Sequence, residues 1–193
     1  VVTGAGEVRD LSPADPDFGC FAGTEGELGI VMEATLRLRD VPAGSYPHLL
    51  YFPSDSAAFA FIGRYAAEAA GTPQAPNVIR FLDSNHLGDV NRITRSDILR
   101  PGAAVLVELG SVGDERHFRD YLSREAARGI EEAPPYVASF LWNERLFGMK
   151  TKRLGPSILA SEVISHIASA AAFIARAKKL GRYFGVEVCI DSY

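Results

Sequence analysis

The chain has 193 residues, 47% of them apolar, which suffices for one globular domain with a buried core or for one domain carrying a piece of another. Twenty basic against twenty-four acidic residues give a net charge of −4, and no block of Lys and Arg forms a phosphate-binding stripe, so nucleic acid is excluded as an expected partner. No apolar run reaches the ~20 residues of a membrane helix, and Cys20 and Cys189 have neither disulfide-framework nor metal-site spacing, so no membrane span and no metal site are expected and the cytoplasm is the expected compartment.

The opening stretch VVTGAGEVRDL reads as strand, glycine turn, strand, with no initiator methionine and no basic-then-apolar leader. The final stretch YFGVEVCIDSY stops inside or just after a strand. Both ends are therefore expected to be cut from a longer chain. Residues 23–38, GTEGELGIVMEATLRL, place three glycines and two glutamates ahead of an alternating, strand-like run. Such a loop is either a tight corner or a ligand contact, because glycine tolerates positive φ and close backbone approach. A dinucleotide fingerprint would need a helix after the glycine turn; a strand follows here, so a Rossmann reading fails.

The Pro/Gly stretch DVPAGSYP (40–47) marks a boundary, with domains expected at 1–40 and 41–193. Beyond it, HLLYF (48–52) predicts a strand. A helix follows, capped by Ser54 and ended by Gly71, with Ala58, Phe61, Ile62, Tyr65, Ala66 and Ala69 on one face. Strands are predicted at 77–83 and 103–110, with a short helix and loops between them, and an amphipathic helix at 114–129 carries Phe118, Tyr121 and Leu122. Strand, helix, strand, strand, helix predicts an α+β fold: a ferredoxin-like antiparallel sheet with helices packed on one face, preceded by a β-hairpin. The last third predicts a helix near the start of 139–156, a basic cluster, a long helix over about 165–183 and a final strand at GVEVCID.

The last third concentrates basic residues: Arg145, on the apolar stretch SFLWNERLFGM beside Trp142 and Phe147, and Lys150, Lys152 and Arg153. The histidines His48, His86, His117 and His166 are isolated in sequence, so no general base is assigned and the catalytic residue stays unknown.

FAGTEGELGIVMEATLRL resembles the signature of FAD-linked oxidases of the vanillyl-alcohol oxidase type, in the glycolate oxidase and D-lactate dehydrogenase branch. ERLFGMKTKRLGPSILASEV resembles a segment of their cap domain. The resemblance implies that residues 1–40 are the C-terminal end of an FAD-binding domain, and that 41–193 are a cap domain cut at its C-terminus. It implies FAD as cofactor, with Gly23, Thr24, Gly26, Gly29 and Ile30 lying against the nucleotide portion. Thr24 stands where the family usually has Ser, Glu27 and Met32 where it usually has Thr, and a carboxylate at Glu27 would repel a pyrophosphate.

The function implied is oxidation of a 2-hydroxy acid of glycolate or D-lactate type to a 2-oxo acid, with Arg145, Lys150, Lys152 and Arg153 as candidate substrate ligands. The family's histidine-rich stretch after the last strand has no counterpart here beyond NHLGD (85–89), which lies elsewhere in the order. The isolated chain is therefore expected not to turn over. The partners implied are a small 2-hydroxy acid, a flavin-domain or electron-acceptor subunit, and a second copy in a homodimer. The alternative reading is a non-catalytic ligand-binding or assembly module that docks to a separate flavin subunit.

Overall fold

The computed structural model describes residues 1–24, 26–38, 40–72, 74–155 and 158–192, and among these the side chains of Phe147 and Gly148 are outside the described set. The expected neighbourhood of Phe147 and Arg145 therefore lies outside the described residues. Contacts divide the chain into two units, Val1–Val41 and Pro42–Tyr193.

In the first unit β1 (Val2–Thr3) pairs antiparallel with β2 (Gly29–Ile30), Val2 opposite Ile30 and Thr3 opposite Gly29. The expected opening hairpin is reduced to one bridge, Val2 to Val8. The strand expected after Gly29 ends at Ile30: residues 31–38 join no ladder, and Val31, Met32, Leu36 and Leu38 are exposed. Alternation alone makes no strand without a neighbour whose N–H and C=O groups complete the ladder.

The second unit runs β3 (Tyr46–Phe52), α1 (Asp55–Ala69), β4 (Val78–Leu82), α2 (Ser84–Thr94), β5 (Ala103–Leu109), α3 (Val112–Glu125), β6 (Glu131–Glu132), α4 (Pro135–Glu144), a 3-10 stretch (Arg145–Leu154), α5 (Ile167–Phe184) and β7 (Asp191–Ser192). Helix starts follow side-chain capping: the Ser54 hydroxyl accepts from the Ala57 N–H at 3.2 Å, Asp83 from His86 at 2.9 Å and Ser111 from Asp114 at 3.1 Å. Pro135 opens α4, where a missing N–H costs nothing.

The sheet order is β6-β3-β5-β4-β7, antiparallel throughout. Numbered from β3, the first four strands stand in the order 4-1-3-2 with α1 and α3 as crossovers, which is the ferredoxin-like arrangement the sequence predicts. β7 adds a fifth strand beside β4; of the predicted strand GVEVCID, it takes in Asp191 alone and adds Ser192.

Alternate residues of the strands feed two cores. On one face Leu50, Phe52, Ile79, Phe81, Val105, Val107 and Leu109 meet α1, α3 and α5 around Phe61, Tyr65, Phe118 and Tyr121. On the other, Leu49, Tyr51, Leu82, Ala104 and Leu106 meet Leu87 and Val90 of α2 and Val137, Ala138 and Leu141 of α4. The expected layer of helices on one face is therefore present but accompanied by a second. The reason lies in β5, whose seven residues are all buried: a central strand apolar on both sides must be covered on both.

Candidate functional site

The second face carries more than a core. Strand alternation that sends Phe81 to the aromatic side sends Arg80 to the α2/α4 side, where it is 5% exposed. A buried guanidinium requires a partner, and Arg80 has one 111 positions away: its Nε and Nη2 donate in a fork to the two carboxylate oxygens of Asp191 on β7.

Arg80 opens into a cleft whose other walls are His86, Val90 and Ile93 of α2, Leu141, Glu144 and Arg145 at the end of α4, and Lys150 and Thr151 of the 3-10 stretch. The sequence candidates Arg145 and Lys150 are thus brought together. Lys152 and Arg153 are exposed and do not line the cleft. Arg145 is seated by its own helix: its guanidinium lies 3.3 Å from the Trp142 ring centre and donates to the Trp142 carbonyl, while Trp142 packs on the second core. Among the described residues Arg145 has no carboxylate partner. Lys150 Nζ donates to Glu144 Oε2 at 2.9 Å. Arg80 is paired with Asp191 and Lys150 with Glu144, so among the described residues the cation without a carboxylate across the cleft is Arg145. Apolar walls and a net positive centre suit a small carboxylate.

Arg80 and His86 were not singled out as ligands from sequence. Arg80 sits in an apolar run and meets Asp191 through tertiary pairing; His86 looked isolated because its neighbours come from β4, β7 and α4. His86 caps into place through its backbone N–H on Asp83, and burial, with Arg80 adding to it against Asp191, Asp83 and Asp89, holds its imidazole below the usual 6.5.

A second cleft, lined by Asp83, Ser84, Asn85, Lys178, Arg182, Val186, Glu187 and Val188, is charge-balanced. There Lys178 Nζ lies 2.7 Å from Asp55 and 3.1 Å from Asp83, joining the starts of α1 and α2 to α5. Asp89, Glu187 and Cys189 lie close enough for a metal ion, but the Arg92 guanidinium pairs with both carboxylates. Burial first, then the bond to Asp89, pushes the Cys189 thiol up, away from the thiolate a soft metal would need.

In the first unit, Gly23 (φ +74°) and Gly26 (φ +88°) hold positive φ, and among the described residues no atom lies close to where a Cβ would sit, apart from the Gly29 carbonyl at 4.0 Å from that of Gly26. Gly29 answers to packing: a Cβ there would lie 2.6 Å from the Val2 carbonyl oxygen and break the β1–β2 pairing. Thr24 accepts the Glu27 N–H at its carbonyl, 2.9 Å, closing a turn; Ile30 is 63% exposed. Thr3 Oγ1, opposite Gly29, is buried without a hydrogen-bond partner.

Fold and cleft together define an α+β domain with a cleft on one sheet face lined by Arg80, Arg145 and Lys150. No protein-family model matches the chain. It is 49% identical over 61 residues, 28% of this chain, to a D-2-hydroxyglutarate dehydrogenase from Xanthomonas citri pv. viticola. The matched stretch spans 13% of that protein's length. This partial likeness supports a relationship to 2-hydroxy acid dehydrogenases of the FAD-linked oxidase kind. No described helix is long and apolar enough to cross a membrane.

Proposed function

We propose that the chain is part of a flavin-dependent oxidoreductase that converts a 2-hydroxy acid to a 2-oxo acid. Residues 1–40 are the end of its FAD-binding domain and 41–193 its substrate cap. The observation that carries this reading is the meeting of Arg145 and Lys150 with Arg80 and His86 in one cleft. Glycolate, D-lactate and D-2-hydroxyglutarate are the substrates to compare, the last because the partial relative bears that name.

The residues of the glycine loop fit a nucleotide cofactor: Gly23 and Gly26 leave open space beside exposed backbone, and the orphaned Thr3 hydroxyl can donate or accept. Gly23, Thr24, Gly26, Gly29 and Ile30 would hold FAD, which when bound supplies the two-electron acceptor. This chain's own residues do the rest. Arg145 donates N–H groups to the substrate carboxylate from a guanidinium already immobilised on Trp142, so little order is lost on binding. Lys150 adds a second donor, and Val90, Ile93 and Leu141 bound the alkyl part and limit water.

Calorimetric titration of the chain with glycolate, D-lactate and D-2-hydroxyglutarate tests this site. A charge-assisted contact is worth about 1.5–3 kcal/mol, so Arg145→Met is expected to weaken binding by roughly tenfold or more. Lys152→Met and Arg153→Met are expected to leave it unchanged. Undiminished affinity in Arg145→Met would overturn the assignment.

A further inference from the structure

We infer that the outer face of α5 docks on an anionic lipid surface, the helix lying in the plane of the headgroups rather than crossing the bilayer.

The inner side of α5 is fixed by three contacts. Ile174 is buried against the aromatic core. Lys178 Nζ reaches Asp55 at 2.7 Å and Asp83 at 3.1 Å. Gly181 lets the returning chain pass close, since a Cβ there would lie 2.8 Å from the Val186 carbonyl oxygen. At about 100° per residue, these positions put Arg176 and Tyr183 on the opposite side of the helix. Beside them Phe173, Leu180 and Phe184, spaced i, i+7 and i+11, form one apolar row. These three side chains and Tyr183 are between 46% and 80% exposed, so the row is a second apolar stripe that the fold itself leaves uncovered.

Charge selects the occupant. α5 carries Arg176, Lys178, Lys179 and Arg182 and no Asp or Glu, in a chain whose net charge is −4. Lys178 is held by Asp55 and Asp83. Arg176, Lys179 and Arg182 are exposed, and among the described residues they have no carboxylate partner. A second copy packed on this row across a two-fold axis would set both groups of cations against each other, with no carboxylate on either helix to offset them. A bilayer containing anionic lipid matches both features. Its headgroups meet the three cations, and the acyl boundary just beneath takes Phe173, Leu180 and Phe184. Tyr183, apolar in its ring and polar at its hydroxyl, suits the level between them.

The test is co-sedimentation of the chain with phosphatidylcholine vesicles, with and without about one-third phosphatidylserine. Each cation near such a surface contributes roughly fivefold in partition, so the wild type is expected to favour the anionic vesicles on the order of a hundredfold. Arg176→Gln/Lys179→Gln is expected to weaken that binding roughly 20-fold. Lys152→Gln/Arg153→Gln removes the same charge from exposed positions elsewhere and is expected to leave binding unchanged. Phe173→Gln/Phe184→Gln keeps every charge and is expected to weaken it by roughly tenfold or more. Equal losses in the two charge variants, full binding in Phe173→Gln/Phe184→Gln, or no pelleting of the wild type with either vesicle would overturn the inference. Self-association in light scattering that disappears in Phe173→Gln/Phe184→Gln would also overturn it and assign the row to a second copy. Where a variant misfolds, the wild type alone carries the test: raising salt from about 0.1 M to about 0.5 M is expected to release the chain from anionic vesicles. An affinity unchanged by salt would overturn the inference.

Discussion

The two faces of the sheet are made from alternate residues of the same strands and do different work. Under α1, α3 and α5 lies an aromatic layer in which Phe61 contacts Phe52, Tyr65 and Tyr121, and Tyr65 contacts Phe118 and Tyr121, with ring centres 4.9–6.0 Å apart. Burial there pushes the Tyr65 phenol up to about 12. Under α2 and α4 the strand residues Leu49, Tyr51, Leu82, Ala104 and Leu106 meet aliphatic side chains of α2 and α4, and the face also carries the charged residue Arg80 beside the cleft. One layer is filled by aromatic rings, and the other carries the cleft.

The contrast is sharpest for stability. Phe61→Ala on the aromatic face is expected to cost about 3–5 kcal/mol in urea unfolding, because a fully buried ring leaves a cavity its neighbours cannot close. On the cleft face Asp191→Asn removes the charge opposite buried Arg80 and is expected to cost about 1–3 kcal/mol, with β7 loosening from β4. Hydrogen exchange at Phe81 and Leu82 reads that loosening. Arg145→Met, half-buried and without a carboxylate partner among the described residues, is expected to change stability by no more than about 0.5 kcal/mol while lowering acid binding as above. A stability loss as large as that of Phe61→Ala would erase the distinction between the faces.

The smallest expected effect is in the pH dependence. His86 has a folded pKa below its ordinary 6.5, so as pH falls through 6.5 the unfolded chain takes up the proton first. Stability therefore declines below pH 6.5 and levels off once folded His86 is protonated as well. His86→Leu is expected to flatten this part of the curve. At the other end of the sheet Glu132 acts in the same direction, in a lower pH window. Its bond to His48 (2.7 Å) holds it below its usual 4.5, with Arg119 helping against burial, so its contribution is present above pH 4.5 and is lost as pH falls through the folded value. Chemical denaturation across pH 4–8 checks both.

Much of the fold could be read locally. Ser54 precedes an apolar-periodic run and α1 begins where that cap sits, while α3 begins at Val112 on a Ser111 cap, two residues ahead of the expected start at 114. The order of elements then leads to the 4-1-3-2 sheet. The second helical layer was hidden because β5 is apolar on both faces, which fits a strand covered once by a partner domain as well as one covered twice by its own helices. The strand expected over 30–38 was over-read: its alternation is real, but no ladder forms beyond Ile30 among the described residues.

The site was half legible. Arg145 announced itself as a cation on an apolar helix beside Trp142, and Lys150 followed within one 3-10 turn pair. Lys152 and Arg153 have the same sequence credentials and point to solvent, since the twist of the 3-10 stretch decides which cations face inward. Arg80 and His86 needed the sheet: the pairing of β4 with β7 and the crossing of α2 over that face have no local signature.

The central claim is that the α2/α4 face binds the carboxylate of a 2-hydroxy acid. The most direct test is amide chemical-shift mapping of the chain titrated with D-2-hydroxyglutarate, with Arg145→Met alongside. Shifts are expected to concentrate in residues 80–93 and 141–151 and to vanish in the variant. Shifts centred on α1 and α3, or a response unchanged in Arg145→Met, would contradict it.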